Sequence, residues 1–128
     1  MKTEEEVGAF ERLIVQLQGL YVEMSQLGKK SPNDGLNEFK LRIVNEVLAS
    51  GNQILKDAYR PFEGFGQFNN DDLPTNSDVT LMLAQYLEQA ERLRSDNIAY
   101  HTGKWVYLVK GAPSNITTRP PTRISVKK

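Results

Sequence analysis

His101 is the only histidine in this sequence, so a Ser-His-Asp arrangement or a histidine general base would have to use it. The sequence contains no G-x-S-x-G nucleophile motif, and no carboxylate accompanies His101 on its predicted strand. The absence of cysteine excludes thiol nucleophiles, disulfides, thiolate zinc sites and iron–sulfur ligation. Together these observations predict a protein that is not an enzyme.

A run of amide and carboxylate side chains offers oxygen ligands of the kind that calcium and magnesium prefer. The run consists of Asn69, Asn70, Asp71 and Asp72, with Glu63 and Asp78 on either side. Its spacing matches no EF-hand loop, and turn formation and helix capping account for Asn and Asp equally well. We therefore predict no metal and no cofactor. An enzyme with a carboxylate or metal site here is a lesser alternative.

Aromatic side chains form a second group with recognisable chemistry. Phe62, Phe65 and Phe68 recur every three residues in a segment rich in Gly, Pro, Asn and Asp. Such a cluster usually closes the end of a helix pair, and otherwise it is an exposed anchor for a protein partner, because aromatics dominate interface hot spots. Both alternatives stay open. Together with Trp105 and Tyr107 of a predicted hairpin, these residues are the expected partner-binding contacts.

The charges are unevenly distributed along the chain although the formal net charge is zero. Residues 98–128 carry six basic and no acidic side chains, which leaves a net charge of −6 on residues 1–97. The basic end would track phosphates or lie on an acidic partner; the alternative is that it only keeps the terminus in solution. The expected contacts with nucleic acid or an acidic partner are Lys110, Arg119, Arg123, Lys127 and Lys128.

Apolar residues at alternating spacings of three and four predict the elements that carry these side chains. The predicted helices cover about 4–28, 36–60 and 77–96, with Thr3 and either Asn76 or Ser77 as N-caps. The short connection after the first helix predicts an antiparallel helical hairpin. Gly51 interrupts the apolar stripe of the second helix, which indicates a kink or a close approach by another backbone.

The period changes after the third helix, and residues 98–109 predict a β-hairpin that turns at Gly103. A hairpin alone is barely stable, so it should pack on the helices or gain a third strand from residues 124–126 or from another chain. From Gly111 onward the prolines and small polar residues predict an extended, mobile segment.

These elements predict a mainly α fold, a three-helix antiparallel bundle made of two long helices in a hairpin plus a third, with a C-terminal β-hairpin and an extended basic tail. Residues 1–110 would form the bundle with its hairpin, and residues 111–128 the tail. No run of about 18 apolar residues is present, and the acidic start does not resemble a signal peptide. We therefore expect no membrane contact and a cytoplasmic location.

The favoured functional hypothesis is a non-catalytic interaction or assembly subunit that docks on itself or on a larger protein complex. The first helix is apolar across enough of its circumference to favour a homo-oligomer. The alternative is a nucleic-acid-binding accessory protein that uses the tail and basic residues in and around the second helix. The latter are Lys29, Lys30, Lys40, Arg42, Lys56 and Arg60.

A winged-helix arrangement, in which the third helix would enter the major groove, is disfavoured by charge. This helix carries four acidic side chains, Asp78, Glu88, Glu91 and Asp96, against Arg92 and Arg94. An element with a net negative charge would be repelled by phosphate.

Overall fold

The computed structural model describes residues 1–69 and 71–122 of the chain. Three helices precede three strands: α1 (Glu4–Lys30), α2 (Glu38–Tyr59), α3 (Asn76–Asp96), β1 (Ile98–His101), β2 (Lys104–Val109) and β3 (Ala112–Thr118). The predicted mainly α class with three helices and a β-hairpin is therefore confirmed. None of the described helices is long and apolar enough to span a bilayer.

Short-range hydrogen bonds set the helix ends. Thr3 caps α1 by accepting the Glu6 N–H at 3.0 Å. The predicted N-caps of α3 were wrong by one or two residues, because Thr75 and Asp78 form a reciprocal capping box at 3.0 and 3.2 Å. Helix α1 also continues two residues beyond residue 28, its predicted end, to Lys30. These are the usual errors of one or two residues at helix ends.

Two contacts show how the helices lie relative to one another. Near the end of α1, Glu23 pairs with Lys40 at the start of α2 at 3.4 Å. One residue further along α1, the Met24 carbonyl accepts the hydroxyl of Thr80, near the start of α3, at 3.0 Å. Both α2 and α3 therefore begin beside the end of α1. The connection between α2 and α3 must then bring the chain back along α2.

Gly51 is buried against the ring of Tyr86, which occupies the space that a side chain at position 51 would need. A Cβ built on Gly51 would lie 3.1 Å from Cδ2 and 3.2 Å from Cε2 of Tyr86. The ring is fully buried, and its hydroxyl donates to Asn52 Oδ1 at 2.6 Å. The interruption predicted at Gly51 is thus a close approach, but by a side chain of α3 and not by another backbone.

The three strands form one antiparallel sheet in the order β1-β2-β3. Both connections are tight turns whose two central residues have positive φ: 48° and 86° at Thr102 and Gly103, 55° and 77° at Lys110 and Gly111. Paired positive φ values match the right-handed twist of the flanking strands. The predicted hairpin with its turn at Gly103 is confirmed.

One face of the sheet packs on the helices. The register pairs Ile98 with Tyr107, and both side chains belong to the hydrophobic core. The Tyr107 ring meets Phe10 of α1 edge to face, with 6.3 Å between centroids. Its hydroxyl donates to the carboxylate of Glu11. The sheet is therefore fixed to the first half of α1.

The third strand comes from residues that the sequence analysis assigned to an extended, mobile segment. Strand β3 pairs with β2, Thr117 opposite Val106 and Pro113 opposite Leu108, with a register irregularity between these pairs. Residues 112–118 are thus extended, but as a hydrogen-bonded strand and not as the mobile segment that was expected. The other expected third strand, residues 124–126, lies outside the described residues.

A buried arginine holds the end of β3 against α3. Arg94 is 0% exposed. Its guanidinium forms a bidentate pair with Glu91 at 2.8 and 2.9 Å. It also donates to the Thr118 hydroxyl at 2.9 Å and to the carbonyls of Arg119 and Pro120 at 2.8 Å each. A buried guanidinium is tolerated only when its donors are satisfied, so Arg94 fixes the path of residues 118–120.

The same cluster changes the acidity of Glu91. Burial alone would raise the pKa of Glu91, but hydrogen bonds from Arg94 and Thr122 outweigh it and lower the pKa to about 2. The Thr122 N–H donates to this carboxylate at 3.0 Å. Residues 118–122 are thus attached to α3 through the charged form of Glu91.

We expect Gly51→Ala to lower the free energy of unfolding by about 1 kcal/mol. Crowding a pinned, buried ring costs about 1–3 kcal/mol, while the gain in helix propensity is about 1 kcal/mol. Chemical denaturation would measure the change. Ser50→Ala, at the exposed neighbouring position, is the control and should be neutral or slightly stabilising. A Gly51→Ala variant more stable than wild type would contradict the packing role of Tyr86.

We expect Glu91→Gln to flatten the dependence of stability on acid pH. Because the folded pKa of about 2 lies below the ordinary 4.5, the charged carboxylate stabilises the fold above about pH 4.5, and this contribution is lost as the pH falls towards 2. At neutral pH the variant should lose about 3 kcal/mol, since Arg94 keeps its buried charge. Urea unfolding at several pH values measures both effects, with exposed Glu46→Gln as the control. Equal acid dependence in variant and wild type would refute this role.

Candidate functional site

The three phenylalanines that were predicted to contact a partner differ in exposure. Phe65 and Phe68 pack against the hydrophobic core, whereas Phe62 is 49% exposed. The Phe65 ring lies edge to face on Phe68, with 5.1 Å between centroids, and on Tyr86 at 6.5 Å. Phe65 and Phe68 therefore close the core beside Tyr86. Phe62 is the most exposed of the three phenylalanines.

Two asparagines of α2 hold this loop in place. The Asn45 side chain donates to the Phe68 carbonyl at 3.0 Å and accepts the Phe68 N–H at 2.9 Å. The Asn52 amide donates to the Gly66 carbonyl at 3.0 Å. Because these partners follow α2 in the reverse order, the loop runs back along the helix towards the start of α3. No local pattern indicated the role of these asparagines, because their partners are backbone atoms of a loop.

The two predicted aromatic contacts of the hairpin also differ in exposure. Tyr107 is fully buried, and burial together with its hydrogen bond to Glu11 raises the pKa of its hydroxyl. Trp105 is half-buried against the core. It meets the ring of Tyr100 edge to face, with 5.7 Å between centroids, and Tyr100 is 64% exposed. The exposed aromatic of the sheet is thus Tyr100, which the sequence analysis did not select.

The predicted basic contacts are only partly described. Lys110 is exposed in the turn between β2 and β3. Arg119 lies 3.8 Å from the carboxylate of Glu91, while its carbonyl accepts a hydrogen bond from Arg94. Arg123, Lys127 and Lys128 lie outside the described residues. Of the five predicted basic contacts, Lys110 and Arg119 are thus the two that belong to the described part of the chain.

The residues considered for catalysis or metal binding have local partners. His101 is exposed at the end of β1. The Asn69 side chain accepts the Asp71 N–H at 2.8 Å, and Asp78 belongs to the capping box of α3. Across residues 1–69 and 71–122, no three His, Cys, Asp or Glu side chains are grouped so that they could hold a metal ion.

The outer face of α1 carries two exposed valines, which the sequence analysis did not single out. Its residues recur at alternating spacings of four and three, so they share one side of the helix: Gly8, Arg12, Val15, Gly19, Val22 and Gln26. Val15 is 66% exposed and Val22 is 58% exposed. A Cβ built on Gly8 or Gly19 would meet nothing within 4 Å. We call this set the outer stripe; its periodicity was visible in the sequence but was masked by the stronger buried stripe.

Charges of opposite sign flank the outer stripe at its two ends. The first turn of α1 is acidic, with Glu4, Glu5 and Glu6, and the last turn is basic, with Lys29 and Lys30. This arrangement suits the dipole of the helix itself. It also makes the two ends of the stripe electrostatically complementary to each other.

Helix α2 is interrupted at Lys56, whose backbone has φ 58° and ψ −173°. This region of conformational space is essentially restricted to glycine and costs about 1–3 kcal/mol for other residues. The Lys56 carbonyl nevertheless accepts the Arg60 N–H at 2.9 Å, so the last turn is still closed. Strain of this kind is retained only where the surroundings impose it.

No family model matches this chain, and neither a curated protein nor a solved structure is significantly similar to it. Its function must therefore be inferred from its own residues.

We expect Lys56→Gly to raise the free energy of unfolding by about 1 kcal/mol. The glycine relieves backbone strain of about 1–3 kcal/mol and costs about 0.5–1 kcal/mol in chain entropy. Glu46→Gly, at an exposed and regular position of the same helix, is the control and should destabilise by about 1 kcal/mol. Thermal unfolding followed by circular dichroism measures both. Equal destabilisation by the two glycines would show that Lys56 is not strained.

Proposed function

We propose that this protein is a non-catalytic interaction subunit that assembles with a second copy of itself through the outer stripe of α1. The exposure of Val15 and Val22 at the middle of this stripe carries the proposal. Two large apolar side chains on the solvent side of a helix that already buries its other face indicate a second contact surface. Occupation by another copy follows from the order of residues along the stripe.

An antiparallel pair of α1 helices centred at residue 17 makes the stripe complementary to itself. Val15 of one copy then lies opposite Gly19 of the other. Because Gly19 has no side chain, it leaves space for the valine. Arg12 lies opposite Val22, and Gly8 opposite Gln26. Such an arrangement is isologous, with each contact occurring twice around a twofold axis.

The same geometry pairs opposite charges on the flanks of the stripe. Glu5 of one copy lies opposite Lys29 of the other, and Glu4 lies opposite Lys30. A parallel pair would instead place like charges together at both ends. Charge complementarity therefore favours the antiparallel pair.

The size of the surface predicts a weak dimer. At 1.5 Å per residue α1 is about 40 Å long, and one face of one helix lies near the low end of specific interfaces, about 1,200 Å² in total. Exposed ion pairs add roughly 0–1 kcal/mol each. We therefore expect a concentration-dependent dimer that weakens as salt is added.

The same proposal takes the three helices as one bundle in which α1 runs antiparallel to both α2 and α3. The contacts of Glu23 with Lys40 and of Met24 with Thr80 support this arrangement. It leaves the outer stripe on the side of α1 that faces away from the other helices.

The alternative of a nucleic-acid-binding accessory protein has less support among the described residues. Several of the basic side chains that it requires have partners within the chain. Lys40 pairs with Glu23, Arg119 with Glu91, and the guanidinium of Arg42 lies 5.8 Å from the ring centroid of Phe39. A surface that binds phosphate should present its cations without neighbouring carboxylates.

We expect Val15→Asp to raise the dissociation constant of the dimer at least tenfold, because it places a charge at the centre of the contact. Sedimentation equilibrium over a wide range of protein concentration is the measurement. Leu81→Asp is the matched control, since Leu81 is also an exposed apolar residue, 62% accessible, but lies on α3. It should leave the association unchanged. A wild-type protein that stays monomeric at millimolar concentration, or two variants that behave alike, would overturn the proposal.

A charge exchange tests the direction of the pairing. Glu5→Lys should weaken the dimer about three- to tenfold, and adding Lys29→Glu should restore it, because these two positions lie opposite each other only in the antiparallel pair. Sedimentation in low and high salt would follow both variants. Failure of the double variant to recover would exclude this register.

A further inference from the structure

A cavity of about 550 Å³ lies between the first turns of α1 and the last turns of α2. Its wall is mostly apolar and includes Phe10 and Leu55, both buried in the core, together with Ala9, Ile54 and Leu93. Its volume falls within the range of sites for small ligands, about 300–1,000 Å³. An apolar wall with a few polar groups is also typical of such sites.

The polar side chains of the cavity favour an anion. Lys2 and Lys56 line it and are exposed, so their charges stand at its opening. The carboxylate among its lining residues belongs to Glu6, which already accepts the Lys2 N–H at 2.9 Å. The hydroxyl of Tyr59 donates to Asp96, which lies outside the lining. The lining therefore combines the two lysines and the ammonium group of Met1, which donates to Asn97 Oδ1 at 3.2 Å, with one carboxylate that is already hydrogen-bonded.

The interruption of α2 occurs at one of these two lysines. The backbone of Lys56, at φ 58° and ψ −173°, leaves the helical path where α2 borders the cavity. A conformation that favours glycine is here occupied by a long cationic side chain. Strained residues of this kind cluster at ligand-binding sites, where their position matters more than their conformational energy.

We infer that this cavity binds an amphipathic anion, a molecule with an apolar chain or ring system and a single carboxylate or sulfonate group. The apolar part would lie against Phe10, Leu55 and Leu93, and the acid group would stay at the opening beside Lys2 and Lys56. This site is separate from the outer stripe of α1, so it adds a ligand to the proposed assembly function and does not depend on it.

The test uses decanoate and decyltrimethylammonium, which share an apolar chain and differ in the sign of the head group. Titration calorimetry with the full chain should give saturable binding of decanoate at one site per chain, and at least fivefold weaker binding of the cation. Anilinonaphthalene sulfonate, a fluorescent amphipathic anion, should bind and be displaced by decanoate. Absence of saturable binding, or equal affinity for both head groups, would overturn the inference.

Variants locate the site. Lys56→Gln should weaken decanoate binding at least fivefold. Lys104→Gln removes an exposed lysine of β2 that does not line the cavity, so it should leave decanoate binding unchanged. Ala9→Leu should reduce binding by filling the cavity; near-UV circular dichroism would confirm that the variant is folded. Val15→Asp should bind decanoate as wild type does, which separates this site from the dimer contact. Binding that none of the cavity variants changes would place the ligand elsewhere and refute the assignment.

Discussion

The buried guanidinium of Arg94 is the interaction on which the combination of helices and sheet depends. A cation that is 0% exposed must have its donors satisfied, and Glu91 supplies acceptors for only part of them. Thr118 and two carbonyls after it supply the rest, so the chain must cross α3 at the end of β3. The attachment ties β3, the edge strand that follows β2 through the turn at Lys110 and Gly111, to the helices. Residues 112–122, which were expected to belong to an extended tail, are therefore part of the fold.

A second constraint follows from the direction of the helices. Because α2 and α3 both begin beside the end of α1, the chain between them must return along α2. Asn45 and Asn52 provide hydrogen bonds for this returning loop, while Phe65 inserts between Phe68 and Tyr86. The long aromatic loop is thus explained by packing in large part.

The features that carry the functional proposals are those that the fold does not need. Val15 and Val22 contribute little to the core at 66% and 58% exposure, and regular helix at Lys56 would be less strained. Selection for stability alone would favour polar residues at the first two positions and glycine or ordinary helix at the third. Exposed apolar groups and backbone strain therefore point to binding, in one case of a second chain and in the other of a small molecule.

The sequence by itself determined the three helices, their approximate ends and the hairpin at Gly103, because these depend on periodicity, capping and turn residues within a few positions. Only the tertiary structure decided which aromatic side chains face solvent, since Phe62 is exposed whereas Phe65 and Phe68 of the same loop pack against the core. It also decided that residues 112–118 form a strand. Their composition is weakly β-forming. Their strand conformation depends on hydrogen bonds with β2 and with Arg94, and a local sequence pattern does not contain these tertiary contacts.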